Sequence, residues 1–76
     1  MTPTKPSQPW RLVVTTPGAP AYIKFRSKTA AYRAVQDHIE RVGAGLSRAT
    51  RITVEQWDVD TQRWTRYENA WVKGAS

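Results

Sequence analysis

The sequence predicts an α+β domain, a two-layer ββαββ arrangement with one helix packed on a small, mostly antiparallel sheet. Three observations predict it. Two β-rich segments precede residue 27, one apolar stripe at helical spacing occupies 28–42, and two further β-rich segments lie between 50 and 68. With 76 residues the chain has room for one domain. The expected organisation is a disordered tail over 1–9, a single domain over 10–69 and a C-terminal tail over 70–76.

The N-terminal nine residues hold three prolines among Thr, Ser, Gln and Lys and have little to bury. WRLVVT (10–15) reads as a strand with Trp10, Leu12 and Val14 on one face and Arg11, Val13 and Thr15 on the other. AYIKFR (21–26) alternates likewise, Ala21, Ile23 and Phe25 against Tyr22, Lys24 and Arg26. Pro17-Gly18 between them suits a type II turn, so a hairpin is expected. Ser27 is a candidate N-cap for a helix over 28–42. Its apolar stripe is Ala31, Val35, His38, Ile39 and Val42, flanked by Tyr32 and Ala34. Arg33–Asp37 and Asp37–Arg41 have the spacing of helical ion pairs. Gly43 or Gly45 ends the helix, and Leu46 is expected to fold back on its last turn.

TRITVEQW (50–57) reads as a third strand with Ile52 and Val54 inward and Arg51, Thr53, Glu55 and Trp57 outward. A turn around 60–63 leads to a fourth strand, WTRYE (64–68). The expected core is Trp10, Leu12, Val14, Ile23, Phe25, Ala31, Val35, Ile39, Val42, Ile52, Val54 and Trp64.

Charge bears on function. Twelve Lys and Arg face six Asp and Glu, for a net charge of +6. Every acid lies at Asp37 or later, so Lys5, Arg11, Lys24, Arg26, Lys28 and Arg33 are unopposed in sequence, while the remainder of the chain is neutral. The excess suits solubility, and it also suits an acidic partner or a nucleic acid.

No catalytic constellation stands out, and a non-enzymatic protein is expected. His38 falls on the apolar helix stripe, as a core or boundary histidine does. Asp58 and Asp60, near Glu55, resemble part of a calcium loop but lack its glycine and terminal glutamate, and turn chemistry accounts for them. The chain has no cysteine. It shows no zinc spacing and no phosphate-cradling loop, and no cofactor, metal or small-molecule substrate is expected. No apolar run approaches a membrane span, the first residues lack the apolar segment of a secretory signal, and a cytoplasmic location is the default expectation.

The expected function is therefore binding. A single helix shields one sheet face, leaving Arg11, Tyr22, Lys24, Arg26, Arg51 and Trp57 on the other, with Lys28 and Arg33 extending the positive field near the helix start. Four tryptophans exceed what a thin core readily hides. Trp, Tyr and Arg are the commonest hot-spot residues, so a protein partner or a second copy of the chain leads. The alternative is weakly specific nucleic-acid binding, single strands preferred, through Arg11, Lys24, Arg26 and Tyr22.

The succession AYIKFRSKTAAYRAVQDHI, then TRITVEQWDVDTQRWTRYE, resembles small uncharacterised accessory proteins of actinobacteria and their phages. The resemblance spans roughly residues 10–69 and is one of pattern, with Gln62 standing where such turns often carry glycine. It implies a non-enzymatic accessory role, with interference in a host component for a phage protein, and assigns no functional residue.

Overall fold

The computed structural model describes residues 6–74. The chain order is β1 (Trp10–Thr15), β2 (Ala21–Phe25), α1 (Lys28–Gly43), β3 (Arg51–Asp58) and β4 (Arg63–Val72). The four strands form one antiparallel sheet in the order β2-β1-β3-β4, and α1 lies across one face. The helix connects edge strand β2 to inner strand β3, passing over β1. The expected α+β, ββαββ architecture is the one observed.

Burial follows the strand alternation. Leu12 stands opposite Ile23 on one side and Val54 on the other, and Val14 opposite Ala21 and Ile52. These residues share the helix side. Leu12, Val35, Ile52 and Val54 form the fully buried nucleus, surrounded by Trp10, Phe25, Tyr32, Ala34, Ile39, Ala70 and Trp71. Burying each of the four aliphatic chains contributes about 1.5–3 kcal/mol.

Ser27 caps α1 as expected, its hydroxyl accepting the Ala30 amide at 3.1 Å. At the other end Leu46 N–H donates to Arg41 C=O (2.8 Å) and Gly45 N–H to Val42 C=O (3.1 Å), with Gly45 at φ +77°. That is a Schellman closure with Gly45, not Gly43, at the left-handed position. Leu46 does not fold back as expected and is 78% exposed. The closure normally pairs this residue with an apolar side chain at the position of Arg41 or Glu40, and here both are charged.

Several other expectations are corrected. The fourth strand runs to Val72, four residues past its expected end, so residues 70–72 belong to the sheet. WTRYENAW lacks strict alternation, and two register shifts, at Tyr67 and Ala70, let it pair. They turn Tyr67 with Glu68, and Ala70 with Trp71, toward the helix side. Trp64 lies before the first shift, opposite Trp57, and so occupies the face away from the helix. Ile23 is 37% exposed, because β2 is an edge strand and α1 leaves its outer margin uncovered. Gly18 does not take a positive φ, so the expected type II turn is absent. The five residues between β1 and β2 close instead with the Thr16 hydroxyl donating to the Ala19 carbonyl at 2.9 Å. Of the expected N-terminal tail, residues 1–5 lie outside the described residues. Pro9 is buried, and its carbonyl accepts the Trp57 amide at 2.8 Å. The helical spacings Arg33–Asp37 and Asp37–Arg41 close no ion pair; Arg11–Glu55 is the sole one among the described residues.

The β3–β4 turn is organised by Asp58, whose carboxylate accepts the amides of Asp60 and Thr61 at 2.9 and 3.4 Å. Gln62 sits there at φ +54°. A side chain in that left-handed region costs about 1–2 kcal/mol, and glycine removes the cost at the expense of a freer unfolded chain. Gln62→Gly is expected to raise stability in chemical denaturation by about 0.5–1 kcal/mol. Ser27→Ala, which leaves the Ala30 amide without its acceptor, is expected to lower it by about 1 kcal/mol.

Candidate interaction site on the open sheet face

The face away from α1 is set by the same alternation. Pairing places Lys24, Arg11, Glu55 and Arg66 in one row across all four strands. A neighbouring row holds Tyr22, Val13, Thr53 and Asn69, and the Thr53 hydroxyl donates to the Asn69 side-chain carbonyl at 3.0 Å. Thr15, Arg51 and Val72 follow toward one end, and Trp57 with Trp64 toward the other.

Arg11 is the centre of this surface. Its guanidinium carbon lies 4.8 Å from the Tyr22 ring centroid and 4.5 Å from that of Trp64. Its Nε donates to Glu55 Oε1 at 2.7 Å, and a second nitrogen reaches the same oxygen. A guanidinium is planar and weakly hydrated, so it can pack on rings while its edge holds a carboxylate. Trp64 also meets Trp57 edge to face, with centroids 5.4 Å apart and planes at 76°. Rings and cation thus brace one another from β2 to β4, with no second layer above them among the described residues. One cost is visible: the Trp57 indole N–H is buried and lacks a hydrogen-bond partner among the described residues.

The face carries four cations, Arg11, Lys24, Arg51 and Arg66, and one acid, Glu55, which Arg11 already holds. Tyr22 is 57% exposed. Asp37 and Glu40 lie on α1, Asp58 and Asp60 at the β3–β4 turn, and Glu68 on the helix side. Of the residues singled out from sequence, Arg11, Tyr22, Lys24, Arg51 and Trp57 share this face. Arg26 is exposed one residue beyond β2.

Lys28 and Arg33 do not extend it, because both belong to the helix layer. Lys28 Nζ donates to the Tyr67 hydroxyl at 2.7 Å and lies 4.9 Å from that ring's centroid. Tyr67 stands edge-on to Trp10 at 5.1 Å and to Tyr32 at 6.4 Å. This second cluster clamps the helix N-terminal turn to β4. Trp71 packs on the core and contributes to neither exposed surface.

Trp64 and Arg66 were missed as members of the open face. The signal was available: a hairpin symmetric about Asp60 and Thr61 sets Trp57 opposite Trp64 and Glu55 opposite Arg66. Among the described residues no group of three His, Cys, Asp or Glu side chains is placed to hold a metal, and no helix is long and apolar enough to cross a membrane. No known family model, no curated protein and no solved structure matches the chain.

The Tyr32 hydroxyl donates to Glu68, and partial burial first, then this bond to a carboxylate, push its ionisation well above the usual phenol range. The folded state therefore holds the Tyr32 proton after the unfolded chain has begun to release it. This contribution to stability is present below the ordinary phenol value near 10 and is lost as pH rises beyond it. The late part of a phenolate absorbance titration is expected to vanish in Tyr32→Phe, and the alkaline loss of stability to become shallower. An unchanged titration in that variant excludes this environment for Tyr32.

Proposed function

We propose that the chain is a non-enzymatic binding module whose open sheet face takes single-stranded nucleic acid. The observation that carries the reading is the row Lys24, Arg11, Glu55 and Arg66, flanked by Tyr22 on one side and Trp57 with Trp64 on the other. Exposed bases stack on rings, phosphates seek cations, and a sheet without a covering layer offers both over one surface. Charge favours this partner over a protein one. Among the described residues three of the four cations have no acid within ion-pair distance, and unpaired charge is depleted from the core of a protein interface but is what a phosphate backbone requires.

Arg11 has a different part from the one expected of it. With Glu55 on its edge and rings on its flanks, it orients Tyr22 and Trp64 while Lys24, Arg51 and Arg66 meet phosphates. No recognition helix faces this surface, so the phosphate term dominates affinity and sequence preference is weak.

Fluorescence anisotropy with labelled single- and double-stranded oligonucleotides tests the reading. Binding to single strands is expected, with a log–log salt slope near −2 for about three phosphate contacts. Arg51→Glu and Arg66→Glu should each weaken binding about tenfold or more, roughly equally for all sequences. Arg41→Glu, on the helix, should change it little. Absence of binding at low salt, or binding indifferent to salt, overturns the proposal.

A further inference from the structure

The two edges of the sheet are unlike. β4 carries two register shifts, at Tyr67 and Ala70, and such bulges twist an edge away from pairing. β2 pairs with β1 over five consecutive residues without a break. Its outer side has no neighbour among the described strands. Among the described residues, two of the four exposed large hydrophobic side chains lie within these five residues, Tyr22 on the open face and Ile23 on the helix side.

The order of residues in β2 is self-complementary. An antiparallel pair of β2 strands centred on Ile23 sets Ile23 against its own copy and Ala21 against Phe25 on the helix side. On the open face it sets Tyr22 against Lys24, twice. Each of these cross-strand combinations is favourable: an aliphatic pair, an aromatic ring with a small apolar group, and a ring with a cation. Neighbouring registers are worse. A shift by one residue sets helix-side residues against open-face residues. A shift by two toward the C-terminal end of β2 sets Lys24 against Lys24. The opposite shift sets Lys24 against Pro20, which has no amide proton to donate.

We infer that β2 is a dimerisation edge, occupied by β2 of a second copy of this chain in antiparallel register about Ile23. The four-stranded sheets then join into one of eight strands. A two-fold axis normal to the sheet keeps both helices on one side and both open faces on the other. Ile23 loses its exposure between the two helices. Lys24, which on a free edge discourages open-ended pairing, finds Tyr22 of the second copy. Tyr22 and Lys24 belong to both surfaces, whereas Ile23 belongs to the edge alone and Arg51 and Arg66 to the open face alone, so variants at these three positions separate the two readings.

Five paired residues make a small interface, so the dimer is weak and depends on concentration. Sedimentation equilibrium up to ~1 mM is expected to show a monomer–dimer equilibrium, and Ile23→Lys to weaken it at least about tenfold. Register is read by cross-linking, since the native chain has no cysteine. Ile23→Cys is expected to form a disulfide dimer under mild oxidation much faster than Ala21→Cys, whose two copies lie apart in this register. Circular dichroism confirms that each variant is folded. A strict monomer over the whole range overturns the inference. So does a dimer in which Ile23→Cys cross-links no faster than Ala21→Cys. Oligonucleotide binding by Ile23→Lys at wild-type strength leaves the open-face reading intact, and loss of nucleic-acid binding in Arg66→Glu without loss of dimer leaves the edge intact.

Discussion

One helix of sixteen residues has to cover one face of a four-stranded sheet, and the rest of the structure accommodates that constraint. The helix fully buries only Ala31 and Val35. These pack over the sheet centre, where Leu12, Ile52 and Val54 complete the dry nucleus. Toward the margins that nucleus gives way to rings. At β4 the strand shifts register twice, so that Tyr67, Ala70 and Trp71 reach the helix side. At β2 nothing equivalent happens, and Ile23 is left half covered.

The same shortage of covering layer explains the open face. A sheet surface without a second layer must be held by contacts within its own plane. Arg11 supplies them by lying between Tyr22 and Trp64 while binding Glu55. This pair is only about one-fifth exposed at either side chain, so both charges lose part of their hydration, and their hydrogen bonds offset that cost. A charge used in this way is not free for a ligand. Structural and binding roles are therefore divided between residues of one type on one face. Arg11 holds the rings; Lys24, Arg51 and Arg66 remain open to solvent.

Much of the architecture was legible because local signals agreed with one another. The alternation of residues 10–15 and 21–25, the Ser27 cap and the stripe through Ala31 and Val35 point to the same two-layer answer. What failed did so where period two breaks. WTRYENAW cannot satisfy its rings by plain alternation, and a bulge leaves no mark in composition that separates it from a strand end. Plain alternation therefore places Trp64 in the core and residues 70–72 in a tail, whereas the strand carries Trp64 on the open face and continues to Val72. The closing motif by itself predicts an apolar contact for Leu46, but Arg41 and Glu40 occupy the positions that would supply it, and Leu46 is exposed. The open face was legible from β1, β2 and β3. Its β4 part depended on counting back across the turn from Trp57.

The charge layout changes meaning between chain and fold. In sequence the positive excess belongs to the first 36 residues, and the remainder cancels to zero. Topology undoes that cancellation. β3 and β4 send Arg51 and Arg66 to the open face that also carries Lys24, while the acids of the same half go to the helix exterior, the distal turn and the helix side of β4. Only Glu55 stays, and Arg11 neutralises it across the β1–β3 ladder. The field of the open face is thus a product of strand order rather than of the N-terminal excess. Were β3 to slip one residue against β1, Glu55 would turn under the helix and Ile52 and Val54 would turn out to solvent. The burial that holds the register therefore also holds the charge pattern, and the two cannot vary independently.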